Sequence, residues 1–337
     1  MSNNQPIFIA GPDRSGTTLL YALIASHPNI SMVRRTNFWR WFYDRYGDLS
    51  KEDNFERLLD KMLRYKRIQP LQPDGERIRR EFWQGEPSYG RVFALFQQHN
   101  AERTGKPRWG DKSLHTEHYI EQVLSEFPNA KFIHMSRDPR DRYASVRKRF
   151  GKDTPRLGAS TARWLLSMRA AEKNRQKYPA NYKIIRFEDL AANPEETLQI
   201  ICDFIGEKFS PEMLTMEGAS KYKNSGGNSS FEQIKPGAIS TKPIGRYKSV
   251  LTTSELAFIQ LFARKEMQAL DYDSDPVNFS FFEAIKFIFW ILPFQTVRML
   301  GWTFLTSLSF IRKSHVPETR FFDENEVSLS NVEGSHV

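Results

Sequence analysis

The chain has 337 residues, with 49 Lys and Arg against 40 Asp and Glu, a formal net charge of +9, and one Cys. That length accommodates one large α/β domain or two small ones, and a single Cys excludes an intramolecular disulfide framework and any Cys-rich zinc or iron–sulfur site. Residues 314–337 hold five acids and one base, so the rest of the chain is more basic than the average and suits an anionic partner: nucleic acid, a phosphorylated small molecule or an acidic membrane surface.

The first residues, Met1 to Gln5, carry no basic stretch followed by an apolar run, which predicts cytoplasmic residence. Residues 7–10 (IFIA) predict a short buried strand bounded by Gly11-Pro12-Asp13, and Leu19, Leu20, Leu23 and Ile24 give 17–26 helical spacing. Strand, tight loop and helix in that order open a parallel α/β sheet. From 34 to 103 the pattern is helical and irregular, with amphipathic pieces at 55–65 and 89–98, an insertion suited to the acceptor side of a site. A helix at 116–127 precedes a second strand at 131–135 and a helix at 139–150. The long helix 156–178 leads to a third strand at 182–187, and Asn193-Pro194-Glu195-Glu196 starts a helix that ends near Gly206. Residues 219–241, rich in Ser, Gly, Asn and Lys, predict a mobile loop, and 254–270 a final core helix.

Two motifs carry chemistry. Gly11 to Thr18 lie between a strand and a helix, where backbone N–H groups and the helix N-terminus converge on an anion. The spacing is that of Walker A, with Thr17 in the lysine position. A γ-phosphoryl donor needs that lysine, so ATP or GTP hydrolysis is disfavoured, while Arg14 offers a planar fork to phosphate or sulfate. The second motif runs from Arg137 to Arg149 after the 131–135 strand. Arg137 stands at the strand end, and Ser145 and Arg149 are four apart on one helix face, an arrangement that can clamp a second, separate phosphate.

A lysine-free phosphate loop followed by R-D-x-R-x-x-x-x-S resembles the P-loop sulfotransferases, most of all their protein-tyrosine and bacterial small-molecule branches. Further matches follow in family order: Trp109-Gly110-Asp111-Lys112, Phe127-Pro128-Asn129-Ala130-Lys131, Arg186-Phe187-Glu188-Asp189-Leu190 with Asn193-Pro194-Glu195, and Ile244-Gly245-Arg246-Tyr247-Lys248. The resemblance covers about residues 6–273. It implies an α/β, three-layer P-loop-type fold with a central parallel sheet, a helical insertion and a C-terminal helical extension. It also implies the co-substrate 3′-phosphoadenosine 5′-phosphosulfate, with a hydroxylated small-molecule or lipid-like acceptor.

Carried over residue by residue, Arg14, Ser15, Gly16, Thr17 and Thr18 hold the 5′-phosphosulfate, and Arg137, Ser145 and Arg149 the 3′-phosphate. Lys112 corresponds to a catalytic-site lysine, and Phe187 stands where many members have a Tyr near the adenine. Arg246 and Lys248 fall in the segment that closes over the nucleotide, and Ser240 is a weaker candidate near the sulfuryl group. Relatives commonly place a Glu after the loop to take the acceptor's proton, yet Val33 to Phe38 contain no carboxylate. His115 is the leading substitute, with Glu86 and Asp111 behind it. The missing Glu leaves open a membrane-associated nucleotide-binding protein with little or no transfer. A P-loop kinase is disfavoured by Thr17, and a nucleic-acid binder by scattered charges and the lack of a reader module. No metal is expected, because His115 and His118 form an isolated pair without Cys or a nearby third ligand.

Three segments are expected: 1–275 as the transferase domain, 276–313 as an aromatic amphipathic helical extension, and 314–337 as an acidic disordered tail. In the extension the apolar run is short, Arg298 interrupts the longer stretch and Pro293 predicts a break or kink into two helices. Flanking bases with Phe and Trp between them suit a membrane interface, a peripheral position on the inner face of a membrane; packing on the core and a homodimer contact compete.

Overall fold

A computed structural model describes residues 5–151, 156–225, 227–229, 231–311 and 316–322. Five strands, β1 (Ile7–Ala10), β2 (Ile30–Arg34), β3 (Arg108–Lys112), β4 (Lys131–Ser136) and β5 (Tyr182–Arg186), pair in parallel in the order β2-β3-β1-β4-β5. The register sets Ile9 beside Lys112 and Ile133, and Ser136 beside Arg186. All five carboxyl ends therefore face one rim, where ligands of open parallel sheets bind.

Both sheet faces are covered, as a parallel sheet requires. On one face Ile7, Ile9, Ile133 and Met135 pack with the loop helix (Thr17–Ala25) and the helix Pro194–Ile205. On the other, Phe8, Phe132 and Trp109 meet the helices Glu52–Arg64 and Tyr89–Arg103 of the insertion. Aromatic rings dominate this second face: Phe8 stacks on Phe132 with centroids 5.1 Å apart, and Phe38 on Phe93 at 4.8 Å. Many of the chain's 26 Phe and 7 Trp are therefore core, and only part of them lie in the C-terminal extension.

The expected helices stand close to their bounds, including Pro139–Phe150, Leu157–Lys177 and Thr253–Gln268. Strands β2 and β3 are additions to the sequence expectation. β3 reads RWGDK, and its Asp111 and Lys112 are buried charges that break the apolar pattern of a central strand.

The expected break at Pro293 does not occur. Helix Phe281–Lys286 passes through a π turn, Phe287–Ile291, straight into the helix Leu292–Ile311. The wide turn just before Pro293 absorbs the missing N–H and the ring's clash with the preceding carbonyls. This C-terminal helix packs its inner stripe, Phe287, Gln295, Met299 and Trp302, toward the long helix Leu157–Lys177. Contact is close at Gly158, where a Cβ would lie 2.1 Å from the Gln295 carbonyl oxygen, and Gly158 N–H donates to Gln295 Oε1 at 3.0 Å.

The disorder expected from 314 onward does not hold for 316–322. Phe321 is buried against Tyr65, the Phe322 N–H donates to Arg64 O and the Lys66 N–H to Arg320 O on either side of a short antiparallel bridge, and aromatic burial outweighs the acidic composition there. The rest of that tail lies outside the described residues.

Candidate active site

The loop after β1 turns through two left-handed residues, Arg14 (φ 68°) and Gly16 (φ 84°), before the loop helix starts at Thr17. Gly16 is required twice over, since a Cβ there would also lie 2.5 Å from the Phe187 ring. Arg14, a non-glycine residue held in the left-handed region, is backbone strain of the kind that gathers at ligand sites.

Asp13 anchors the loop from outside. Its carboxylate accepts from Arg142 Nη2 at 2.6 Å and Arg163 Nη1 at 3.0 Å, and its carbonyl accepts from Arg142 Nε at 2.8 Å. Burial alone would raise the Asp13 pKa, but the two guanidinium groups hold it well below the usual carboxylate range. Arg142 is itself buried and also donates to Ser160. Nothing in the sequence marked Asp13, Arg142 and Arg163 as a unit, because the three lie on separate elements.

The two motifs meet directly. Arg14 Nε donates to Ser145 Oγ at 2.9 Å, and Arg137 Nη1 donates to the Arg14 carbonyl at 3.1 Å. Arg137 lies over the Phe187 ring at 4.5 Å and donates through Nη2 to Pro243 O at 2.8 Å. Its Nε and the Ser15 hydroxyl are buried without a partner among the described residues. Buried donors are rarely left so unless a ligand meets them. Arg137 lines a cavity of about 100 Å³ with Arg14, Gly16, Thr17, Thr18, Phe187 and Tyr222, room for a phosphate-sized group. Tyr222 was not foreseen, because it stands in a segment read only as loop.

Phe187 is buried, with one face taken by Arg137 and its edge under Gly16, so it forms the floor of the site. Arg149 is exposed near the end of its helix, and its charge is close enough to disfavour protonation of Arg14, after burial has done so. The segment 243–248 is tied to the helix Pro139–Phe150 by Asp141, which accepts from Gly245 N–H at 2.7 Å and Tyr247 N–H at 2.8 Å. Burial pushes the Asp141 carboxyl up to about 6. Within this segment Arg246 pairs with Glu232 at 2.9 Å and lies over Phe231, while Lys248 is exposed, its Nζ 5.9 Å from the Tyr247 ring centroid. Neither side chain lines the cavity.

Lys112 ends β3 on the other side of the loop. Burial, then Arg35 and Arg34, push its ammonium down to about 8. Asp111 is wholly buried and accepts from Thr36 Oγ1 at 3.0 Å, and burial pushes it up to about 6. Glu86 is exposed on the loop before Tyr89 and lines none of the cavities at this rim. His115, by contrast, borders a small cavity of about 20 Å³ with Gly11, Pro12, Asp13, Trp302 and Thr306, so the C-terminal helix closes this end. A neighbouring cavity of about 210 Å³ shares Asp13, Arg163 and Trp302 with it.

The sequence profile of the sulfotransferase family matches residues 6–211, the stretch that holds the loop, Lys112, Arg137, Ser145 and Phe187. The chain belongs to the sulfotransferase family. An uncharacterized protein of Aquifex aeolicus (strain VF5) is 27% identical over 265 residues, 74% of this chain and 32% of that one. Carbohydrate sulfotransferase 2 of Mus musculus is 28% identical over 93 residues, 28% of this chain and 17% of that one. The chain thus spans a third or less of the length of these two curated relatives. Among solved structures, the sulfotransferase domain of the Synechococcus PCC 7002 olefin synthase is similar at 21% identity and a TM-score of 0.58, covering 81% of this chain and 98% of that one. The sulfotransferase domain from the curacin biosynthetic pathway is similar at 21% identity and a TM-score of 0.56, over 81% and 99% of the two chains. These likenesses establish a shared α/β fold with a central parallel sheet.

Proposed function

We propose that this sulfotransferase takes its sulfuryl group from 3′-phosphoadenosine 5′-phosphosulfate and gives it to a hydroxyl of a small or lipid-like acceptor. The observation that carries the reading is the Arg14–Ser145 bond, flanked by the unpartnered Ser15 hydroxyl and Arg137 Nε. Arginine forks and buried hydroxyls at two points of one rim suit two anionic groups on one nucleotide. Arg14 to Thr18 hold the 5′-phosphosulfate, and Arg137 and Ser145 the 3′-phosphate, with Arg149 at the margin. Phe187 sets the height of the loop and of Arg137, and Arg246 and Lys248 form the outer edge.

In the transfer the acceptor oxygen bonds to sulfur as the bond from sulfur to the phosphate oxygen breaks, and the hydroxyl proton leaves at the His115 end. By analogy with phosphoryl transfer, the protein's task is positioning and stabilisation of charge on the departing phosphate oxygen. Arg14 and Lys112, on either side of the loop, suit that task. The acceptor end adjoins Trp302 and Thr306 of a helix whose outer face is apolar, which favours an amphipathic acceptor met at a membrane surface.

Calorimetry of 3′-phosphoadenosine 5′-phosphate against ATP tests the donor assignment. Failure to bind the former, or a preference that survives Arg137→Ala, overturns it. A second reading, nucleotide binding without transfer, is favoured by Arg34 and Arg35 standing where relatives place a carboxylate. Donor turnover against an acceptor panel separates the two.

A further inference from the structure

The turn after Lys112 brings Glu117, which stands between the two histidines in the sequence, to the H-x-x-H pair as a third ligand, against the expectation of no metal. His115 adopts a left-handed backbone (φ 68°) and starts the single 3-10 turn Thr116–His118. His115, Glu117 and His118 thereby each bring one ligand atom to a common point, all within 4.8 Å of one another. The two imidazole rings lie nearly parallel, 6.2 Å apart, and Phe310 of the C-terminal helix covers His118 at 4.7 Å.

Glu117 is 3% exposed. Its Oε1 accepts from Ser167 Oγ at 2.6 Å, while Oε2 is buried without a partner among the described residues. A buried carboxylate with an open oxygen is costly unless a cation meets it. The neighbouring guanidinium groups are engaged elsewhere: Arg163 with Asp13 and the Trp302 ring, Arg40 with the rings of Trp41 and Phe310. His134, also buried beneath the cluster, turns its Nδ1 to the Tyr182 hydroxyl at 2.8 Å. Two imidazoles and one carboxylate held by a second-layer hydroxyl are the donor set of zinc sites that keep one position open. The cavity of about 20 Å³ in front of them, bordered by Gly11, Pro12 and Asp13, has room for one group of the size of a water or hydroxyl.

We propose that His115, Glu117 and His118 bind a divalent transition metal of the zinc type, its open coordination position facing the phosphate loop. The identity of that open ligand rests on the sulfotransferase reading: an acceptor hydroxyl, whose proton the ion makes easier to lose. Bound there, the ion would ease loss of that proton to solvent water, with His115 holding the ion instead of taking the proton itself, and would fill the role of the carboxylate absent from 33–38.

The untagged full chain, stripped with chelator and dialysed, is titrated with Co²⁺ and then Zn²⁺. One Co²⁺ per chain with visible ligand-field bands, displaced by Zn²⁺ and lost in His118→Ala and in the near-isosteric Glu117→Gln, is the expected result. Absence of stoichiometric binding, or equal binding by both variants, overturns the site. Binding of 3′-phosphoadenosine 5′-phosphate by the same variants shows that they are folded. Loss of that nucleotide binding in the unaltered chain, with metal still bound, would instead sink the donor assignment and leave the metal site standing.

Discussion

Arg14 donates its Nε hydrogen to Ser145 Oγ across 2.9 Å, so the loop after β1 and the helix after β4 meet at one charged side chain. Ser145 is 2% exposed and has no solvent to replace this bond. Ser145→Ala therefore removes a charge-assisted bond and a ligand hydroxyl together, worth about 1.5–3 kcal/mol, or roughly tenfold to a hundredfold in affinity. The loss is expected for 3′-phosphoadenosine 5′-phosphate and not for adenosine 5′-phosphate, which lacks the second phosphate. Equal losses for both nucleotides by calorimetry would show that Ser145 serves only the fold.

Gly16 cannot be replaced without strain. Its φ of 84° disfavours any side chain, and a Cβ would lie 2.5 Å from Phe187 Cδ2. Gly16→Ala is expected to lower unfolding free energy by about 1–3 kcal/mol. Adding Phe187→Leu relieves the clash and leaves the backbone term, so the double variant loses less than the sum of the singles. Additive losses in urea unfolding would mean that the ring is not what limits the loop.

The strands β1, β4 and β5 were legible because IFIA, KFIHM and YKIIR are short apolar or β-branched runs beside turn residues. β3 was not, because Asp111 is buried through a partner distant in sequence, Thr36, and Lys112 is buried beside Arg34 and Arg35, which repel its charge. The loop and clamp were visible as motifs, whereas the Asp13–Arg142–Arg163 anchor and the place of Tyr222 at the cavity emerged only when the chain was folded. Pairing within one element is written in local spacing; pairing between elements is not.

Lys112 gives a pH signature. Its ammonium, pushed down to about 8 by burial and then by Arg35 and Arg34, is charged at neutral pH and loses its proton as pH rises through 8. The cation is the form that stabilises a departing phosphate oxygen, so kcat/KM for the donor should fall above about pH 8. Lys112→Arg, whose guanidinium stays protonated, should move that limb upward. For folding the sign is opposite. The unfolded chain binds more protons between 8 and the ordinary lysine value, so the Lys112 contribution to stability rises with pH across that window. An unchanged basic limb in Lys112→Arg would remove Lys112 from the transfer step.

The C-terminal helix tests the membrane reading. Its inner stripe is fixed at Gly158 and Gln295, while Phe281, Phe282, Phe289 and Trp290 stand 74%, 81%, 68% and 74% exposed on the outside. Each such side chain gains about 1.5–3 kcal/mol when withdrawn from water, and the exposed Lys286 and Arg298 beside them favour anionic headgroups. Replacing the four aromatics by Ser should therefore abolish flotation with phosphatidylglycerol vesicles while leaving the thermal transition nearly unchanged, since none of the four is part of the core. A second copy of the chain would cover the same face. In that case the unaltered protein sediments as a dimer and does not float, and the Ser variant sediments as a monomer. That pair of results would replace the membrane by a subunit interface and remove the argument for an acceptor met at a lipid surface.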